Sequence, residues 1–307
     1  MTGERVMVEP ASFQSYYGRP ILKEPAWRQP DVPLYLFLGG AAGASASLGA
    51  LAGPTGRPAL ARATRLVAAG AATASVVALV HDLGRPARFL NMLRVFKPTS
   101  PLSVGSWILA PFSGLTAVTA ALEVTGRLPR IRGLTGAAAG ALGPAMCTYT
   151  AVLLADTANP AWHEARHDLP VLFAGSALTS GAGAALLTTP PGEAGPARRL
   201  GLVGAVAELV AARRAERGHG VVSETYRTGR AGRLLTAARA LTAAGAGLSL
   251  AGGRSRLAAA AAGTAYLAAG LCTRFGVYAA GVAAARDPRY VVVPQKSNTQ
   301  TDERGTS

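Results

Sequence analysis

Long apolar segments recur along this chain, and its charged residues lie mainly between them. A helix of about 20 apolar residues spans the hydrocarbon core of a bilayer, whereas a helix on the surface of a soluble protein carries a polar stripe. The segments here are rich in Gly and Ala and show no such stripe. The sequence therefore predicts an all-α fold, a polytopic transmembrane helix bundle with about eight membrane-spanning helices. The predicted spans are residues 33–53, 64–83, 104–125, 133–155, 169–187, 199–214, 234–252 and 257–285.

The predicted spans divide the chain into three parts. Residues 1–32 are expected to form an N-terminal interfacial cap, residues 33–285 a single transmembrane domain, and residues 286–307 a polar tail. No cleavable signal peptide is expected, because the first 30 residues lack an apolar core. Eight spans place both termini on one side of the membrane. We call this side the terminus face; it carries the cap, the tail and the loops after the second, fourth and sixth predicted helices.

The distribution of positive charge bears on the orientation of the bundle. Lys and Arg are more numerous on the terminus face but denser in the short loops of the opposite face. The positive-inside rule applies best to short loops. We therefore expect a multi-pass protein of the cell membrane whose terminus face is external, although the raw count favours the reverse.

The net charge of +15 would suggest a nucleic-acid partner in a soluble protein. Here the Arg residues cluster at the ends of apolar segments instead of forming one stripe, so membrane flanking explains them better than nucleic acid does. Cys147 and Cys272 lie inside apolar segments and form no CxxC motif. The chain is therefore not expected to bind an iron–sulfur cluster of its own. Haem ligation is not expected either, because only His81 among the histidines touches a predicted span.

The loop between the second and third predicted spans mixes basic and apolar residues. Its sequence from residue 81 to residue 107 is HDLGRPARFLNMLRVFKPTSPLSVGSW, and prolines punctuate it. An amphipathic segment along the membrane boundary would place the apolar side chains in the bilayer and the basic ones outside it. The alternative is an ordinary interfacial loop. The basic residues of this loop are Arg85, Arg88, Arg94 and Lys97.

A second polar loop contains the sequence HEARH, from His163 to His167, which matches the HExxH pattern of zinc metalloproteases. That chemistry requires both histidines on one helix together with a third ligand. The motif lies instead between Pro160 and Pro170 in a predicted loop, and no suitable third ligand follows. We therefore predict interfacial histidines that touch a partner and no metal site.

Ionisable residues at the edges of the spans are candidates for proton transfer, because charged groups at membrane depth are costly and usually functional. His81 and Asp82 close the second span and Asp156 follows the fourth, all near the terminus face. His81 has a near-neutral intrinsic pKa suited to proton transfer, with a solvated helix-end residue as the alternative. Arg274 lies in the last third of the eighth span, where it would either snorkel to the interface or contact a partner.

Four stretches of the chain resemble the NrfD/PsrC family of polysulfide reductase membrane subunits, which exchange electrons between quinone and an iron–sulfur partner. The loop 81–107 resembles the loop after the second membrane helix of that family. PLYLFLGGAAGAS resembles its first helix, and YTAVLLADTANPAWHEARHDLPVLFAGSA resembles its fourth helix, the following loop and the start of the fifth helix. RFGVYAAGVAAARDPRYVVVPQ resembles the C-terminal end.

The resemblance implies an eight- or nine-helix bundle that binds menaquinone or ubiquinone as a substrate near an iron–sulfur partner. By position it assigns quinone binding to Asp31, Tyr35 and Tyr149. Family members differ at the first two positions, which leaves the hydrogen bonds to the quinone carbonyls open. The implied partners are a four-cluster ferredoxin-like iron–sulfur subunit, a molybdopterin catalytic subunit and membrane lipid.

From the resemblance we expect a quinone-reactive membrane subunit that anchors an iron–sulfur subunit. It would pass electrons between (mena)quinol and a molybdopterin-type oxidoreductase. For the arginines of the loop 81–107, anionic lipid headgroups are the alternative ligand. Two other functions stay open, a purely structural membrane anchor and a small-solute or ion transporter, which would show discontinuous helices. The predicted docking residues are Arg85, Arg88, Arg94, Lys97 and Arg274.

Overall fold

A computed structural model describes residues 21–85, 87–251 and 255–294, and no strand occurs among these residues. The predicted cap residues 1–20 and tail residues 295–307 therefore lie outside the described residues. The helices are α1 (Asp31–Ala52), α2 (Pro58–Leu83), α3 (Ala87–Met92), α4 (Pro101–Thr125), α5 (Pro129–Ala155), α6 (Pro160–Glu164), α7 (Leu169–Thr188), α8 (Gly195–Arg217), α9 (Glu224–Arg227), α10 (Gly229–Ala251) and α11 (Arg256–Arg286).

The prediction of an all-α, multi-pass membrane bundle is confirmed. Among the described residues, seven helices are long and apolar enough to cross a membrane, namely α1, α2, α4, α5, α7, α10 and α11. The remaining long helix, α8, has 23 residues and packs against α7 and α10. It corresponds to the weakest predicted span, which is short and contains Glu208.

Several helices are longer than the predicted spans. α2 begins at Pro58 and α5 at Pro129, each several residues before the predicted start. Proline suits the first turn of a helix because its φ angle is already helical and its missing N–H is not needed there. The added turns contain arginines such as Arg62 and Arg130, which are good helix formers. Hydropathy marks the part of a helix inside the bilayer core, whereas the helix itself continues into the interface.

α1 lies at the centre of the bundle and packs against α2, α5, α7 and α11. Small residues allow this packing. A Cβ added at Gly143 of α5 would lie 2.5 Å from the carbonyl oxygen of Gly43 in α1. Ser47 Oγ of α1 also donates a 2.9 Å hydrogen bond to the carbonyl of Gly140 in α5. Such close backbone approach is a principal source of helix association in a bilayer.

At the terminus face the described part of the cap packs against the end of α11. Trp27 stacks on Trp162 with ring centroids 5.7 Å apart, and the Tyr278 hydroxyl donates a 2.6 Å hydrogen bond to the Trp27 carbonyl. Glu24 pairs with Arg286 at 2.9 Å, and this hydrogen bond lowers the pKa of Glu24. Exposed ion pairs contribute little to stability. The aromatic contacts therefore hold the cap in place.

We predict that α8 crosses the membrane although it is the least apolar of the long helices. In the full chain with both native cysteines replaced, Arg217→Cys should react with a membrane-impermeant maleimide from the same side as Ala158→Cys. Gly192→Cys and Arg127→Cys should react from the opposite side. Labelling of positions 192 and 217 from one side would mean that α8 does not cross.

Candidate functional site

An apolar cavity of about 180 Å³ lies between α1, α2, α4 and α5, at their ends near the terminus face. A cavity of about 150 Å³ is large enough to bind benzene. The cavity can therefore hold the ring system of a small aromatic or quinonoid molecule. Its apolar lining includes Val32, Leu36, Leu79, Leu109, Leu153 and Leu154.

Two tyrosine hydroxyls meet in the wall of this cavity. Tyr35 of α1 is 5% exposed and Tyr149 of α5 is 7% exposed, and their hydroxyl groups are hydrogen-bonded to each other. Such a pair has two protons and uses one between its members, so the other can be donated to a ligand. The sequence predicted both residues for one site, and the structure brings them together.

Gly105 of α4 provides the space for the Tyr149 ring. A Cβ added at Gly105 would lie 2.7 Å from Cε2 of Tyr149, so any side chain here would displace the ring. Gly105 belongs to the GSW sequence that ends the loop 81–107. The sequence places this glycine in the GSW motif but gives no sign of its role in positioning the tyrosine.

Asp82 lines the same cavity from the last turn of α2. Its Oδ1 accepts a 2.8 Å hydrogen bond from the backbone N–H of Arg28, which ties the cap to α2. Trp27, which directly precedes Arg28 in the chain, forms another part of the cavity wall. A carboxylate in this position can exchange a proton with a ligand in the cavity. The sequence alone does not reveal that Trp27 is part of the site.

Asp31 and His81 lie outside the cavity that contains the tyrosine pair. His81 Nδ1 is 2.7 Å from Asp31 Oδ2, and both line an open groove on the outer surface of α1 and α2. The His81 side chain is 71% exposed. Adjacent residues of a helix point about 100° apart, which explains why His81 faces this groove while Asp82 faces the cavity. The structure therefore separates Asp31 from the tyrosine pair with which the sequence grouped it.

Asp156 lies in a third region, a groove beside the start of α4, together with His163 and His167. α6 ends at Glu164, so the two histidines do not share a helix as a metalloprotease motif requires. His163 Nδ1 is 3.3 Å from the carbonyl oxygen of Ala155. Within the described ranges, no group of three His, Cys, Asp or Glu side chains is placed to hold a metal ion.

The loop 81–107 has an inner and an outer side. On the inner side, Met92 of α3 helps to line the cavity. Phe96 packs edge-to-face on Trp107 with centroids 5.9 Å apart, which ties the loop to α4. The outer side presents basic and apolar side chains together, as an amphipathic interfacial segment does. Its exposed members include Arg85, Arg88, Leu90, Arg94, Val95 and Lys97.

The predicted location of Arg274 at the membrane interface is wrong. It is 1% exposed, so it neither snorkels to the interface nor contacts a docking partner. Its Nη2 donates a 3.0 Å hydrogen bond to the Phe173 carbonyl, and its guanidinium lies 3.7 Å from the centre of the Phe173 ring. Hydropathy and position along α11 could not reveal this, because burial depends on which face of the helix meets the neighbouring helices.

Comparison with known proteins agrees with this description. A family model described as "Polysulphide reductase, NrfD" matches residues 25–190. This range is more than half of the chain and contains the four helices that form the cavity. The chain belongs to the NrfD family. The resemblance predicted from the sequence is thus confirmed, and NrfD proteins are membrane subunits of polysulfide reductase-like complexes. A search of curated proteins gave no match.

The glycine in the wall of this NrfD cavity can be tested directly. Gly105→Ala should lower the thermal unfolding midpoint of the detergent-solubilised protein, because overpacking a filled site costs about 1–3 kcal/mol. Gly114→Ala is the matched control, since a Cβ at Gly114 of the same helix would have nothing within 4 Å. Equal midpoints for the two variants would show that the Tyr149 ring does not depend on Gly105.

Proposed function

We propose that this NrfD protein is the quinone-reactive membrane subunit of an oxidoreductase complex and that the ring of the quinone binds in the cavity between α1, α2, α4 and α5. The observation that supports this most is the buried Tyr35–Tyr149 hydroxyl pair in an otherwise apolar cavity. A quinone has the matching chemistry, because it is a flat apolar ring with carbonyl oxygens that accept hydrogen bonds.

Tyr149 or Tyr35 would donate a hydrogen bond to one carbonyl oxygen, and the second tyrosine would orient the first. In a cavity with few other polar groups, such a bond is not in competition with many water molecules. The apolar side chains would pack on the two faces of the ring. The open groove along α1 and α2 lies outside the cavity and would remain accessible to lipid.

Oxidation of a quinol releases two protons and two electrons for each quinone formed. Asp82, which lines the cavity, would accept the two protons one after the other and release each of them before it takes the next. The Asp31–His81 pair and Asp156 lie in neighbouring grooves near the same face and would pass protons to or from the solvent. Both electrons would leave to an iron–sulfur cluster of a partner subunit. In the opposite direction the same groups would supply the protons that quinone reduction needs.

The partner would dock on the terminus face, which we place on the external side of the cell membrane. Family members associate generally with iron–sulfur and molybdopterin subunits. A short path for electrons requires the partner's cluster to lie close to the cavity, and the loop 81–107 both lines the cavity and presents exposed basic groups. Arginine is suited to carboxylates and carbonyls of a partner because its planar guanidinium forms paired hydrogen bonds.

The transporter alternative predicts interrupted helices near the middle of the membrane. The seven helices that qualify as spans in the described part of the chain are each continuous, and α4 and α5 continue through Pro111 and Pro144. This observation favours a fixed binding site near one face over an alternating-access site at mid-membrane.

Menadione, a naphthoquinone, provides a direct test in the purified chain. It should quench the fluorescence of Trp27, which lines the cavity, and Trp27→Phe should remove most of the quenching. Tyr149→Phe should raise the dissociation constant about two- to tenfold, the equivalent of one hydrogen bond. Tyr226→Phe is the control, because Tyr226 bonds the Ala161 carbonyl away from the cavity. Identical binding by wild type and Tyr149→Phe would exclude this cavity as the quinone site.

Docking is tested in the native complex. Reversing the charge of two loop residues with Arg88→Glu and Arg94→Glu should release the iron–sulfur subunit during affinity purification in detergent. Arg127→Glu together with Arg130→Glu, on the opposite face, should not release it. If the partner remains bound and only the amount of co-purified anionic lipid falls, the loop 81–107 binds lipid and is not the docking surface.

A further inference from the structure

We propose that Ser75 and Arg274 are positioning residues that fix α1 beside the tyrosine pair of the cavity. Ser75 Oγ, from α2, donates a 3.1 Å hydrogen bond to the carbonyl of Tyr35. Arg274 Nε, from α11, donates a 3.3 Å hydrogen bond to the carbonyl of the next residue, Leu36. Two consecutive carbonyls of α1 are thus held from two different helices. The functional meaning of this arrangement rests on the proposed quinone site, because Tyr35 and Leu36 both line the cavity.

The sequence of α1 leaves space for both donors. A helical carbonyl already accepts a hydrogen bond from the residue four positions later, so a further donor must approach beside that residue. The residues in question are Gly39 and Gly40. A Cβ added at Gly39 would lie 3.3 Å from Ser75 Oγ, and one added at Gly40 would lie 3.1 Å from both Arg274 Nη2 and Ala177 Cβ. The two glycines therefore leave space for the two donors, and Gly40 also leaves space for α7.

The Arg274 guanidinium bridges two helices. While Nε bonds the Leu36 carbonyl in α1, Nη2 bonds the Phe173 carbonyl in α7, and the plane of the group lies against the Phe173 ring. A lysine ammonium has neither the planar shape nor donors fixed at this spacing. The contact accordingly depends on the guanidinium and not on positive charge alone.

A buried acidic side chain, Glu208, lies close enough to this cation to attract it. Glu208 of α8 is 2% exposed and accepts hydrogen bonds from Thr273 at 2.7 Å, Thr179 at 3.1 Å and Thr242 at 3.2 Å. Thr273 directly precedes Arg274 in α11. A buried cation without an opposite charge nearby would be strongly destabilising. Helices α7, α8, α10 and α11 together therefore determine where Arg274 meets α1.

The consequence for the site concerns the Tyr35 hydroxyl. Its distance and angle to Tyr149 depend on where α1 lies along and around its axis at this level. Ser75 and Arg274 fix the position of α1 along its axis and its rotation about that axis. They can do so because each of them bonds the backbone of α1 and not a flexible side chain. They act on a bound ring only through Tyr35, and neither of them lines the cavity.

The first test needs no ligand. With 3-fluorotyrosine incorporated at position 35 of the purified full chain, the ¹⁹F resonance should shift in Ser75→Ala and in Arg274→Gln. Arg256→Gln is the matched control. Arg256 also donates to backbone carbonyls, those of Leu186 and Thr189 at 3.0 and 2.9 Å, but it lies about 27 Å away along α11. Arg274→Lys should also shift the resonance, because a lysine keeps the charge but lacks the paired donors of the guanidinium, and it provides a readout if Arg274→Gln does not fold. An unchanged resonance in Ser75→Ala and Arg274→Lys would overturn the proposal.

The second test separates positioning from general stabilisation. Ser75→Ala should weaken menadione binding about two- to tenfold in the wild-type background. In a Tyr35→Phe background the same substitution should have little effect, because the hydroxyl through which it acts is gone. Equal losses in both backgrounds would show a purely structural role and overturn the proposal. If menadione does not bind the wild type although the ¹⁹F resonance shifts, the quinone function fails and the positioning of Tyr35 stands.

Discussion

Close contact between helix backbones around α1 is the constraint on which the rest of this structure depends. In a bilayer there is little hydrophobic gain from bringing apolar helices together, so association depends on packing and on hydrogen bonds between helices. Small residues along α1 let α5 approach to backbone contact, as at Gly43 and Gly143. Towards the terminus face the small residues give way to Tyr35 and Leu36, and the cavity lies at this level. The same packing that holds the bundle therefore determines where the cavity lies.

Two of the sets of polar groups in the bundle lie on either side of α1. One set lines the cavity among α1, α2, α4 and α5, and the other is the Glu208 network among α7, α8, α10 and α11. Polar groups at membrane depth are tolerated when each finds a partner. α1 takes part in both sets, through the Tyr35 hydroxyl and the Leu36 carbonyl. One helix thus contacts both sets of polar groups.

Much of the fold was predictable because hydropathy and length are local properties of the sequence. Seven of the eight predicted spans followed from recurring apolar segments, and the assignment of Tyr35 and Tyr149 to one site followed from a family resemblance. The positions of the Asp31 and Arg274 side chains could not be predicted from the sequence, because they depend on how each helix is rotated against its neighbours. Both are ionisable residues in apolar helices, yet one lies in an outer groove and the other is buried. The role of Gly105 was equally hidden, since a glycine shows nothing in sequence about the ring that occupies its space.

The low hydropathy of α8 has a consequence for biosynthesis. A segment that is not apolar enough to leave the translocon by itself is retained or passed over until partners are available for its polar groups. For Glu208 those partners are Thr179, Thr242 and Thr273, which belong to helices before and after α8. The last of them is synthesised only when α11 emerges from the ribosome. The full set of hydrogen-bond donors for Glu208 therefore exists only after α11 has been made, so the packing around α8 is completed last.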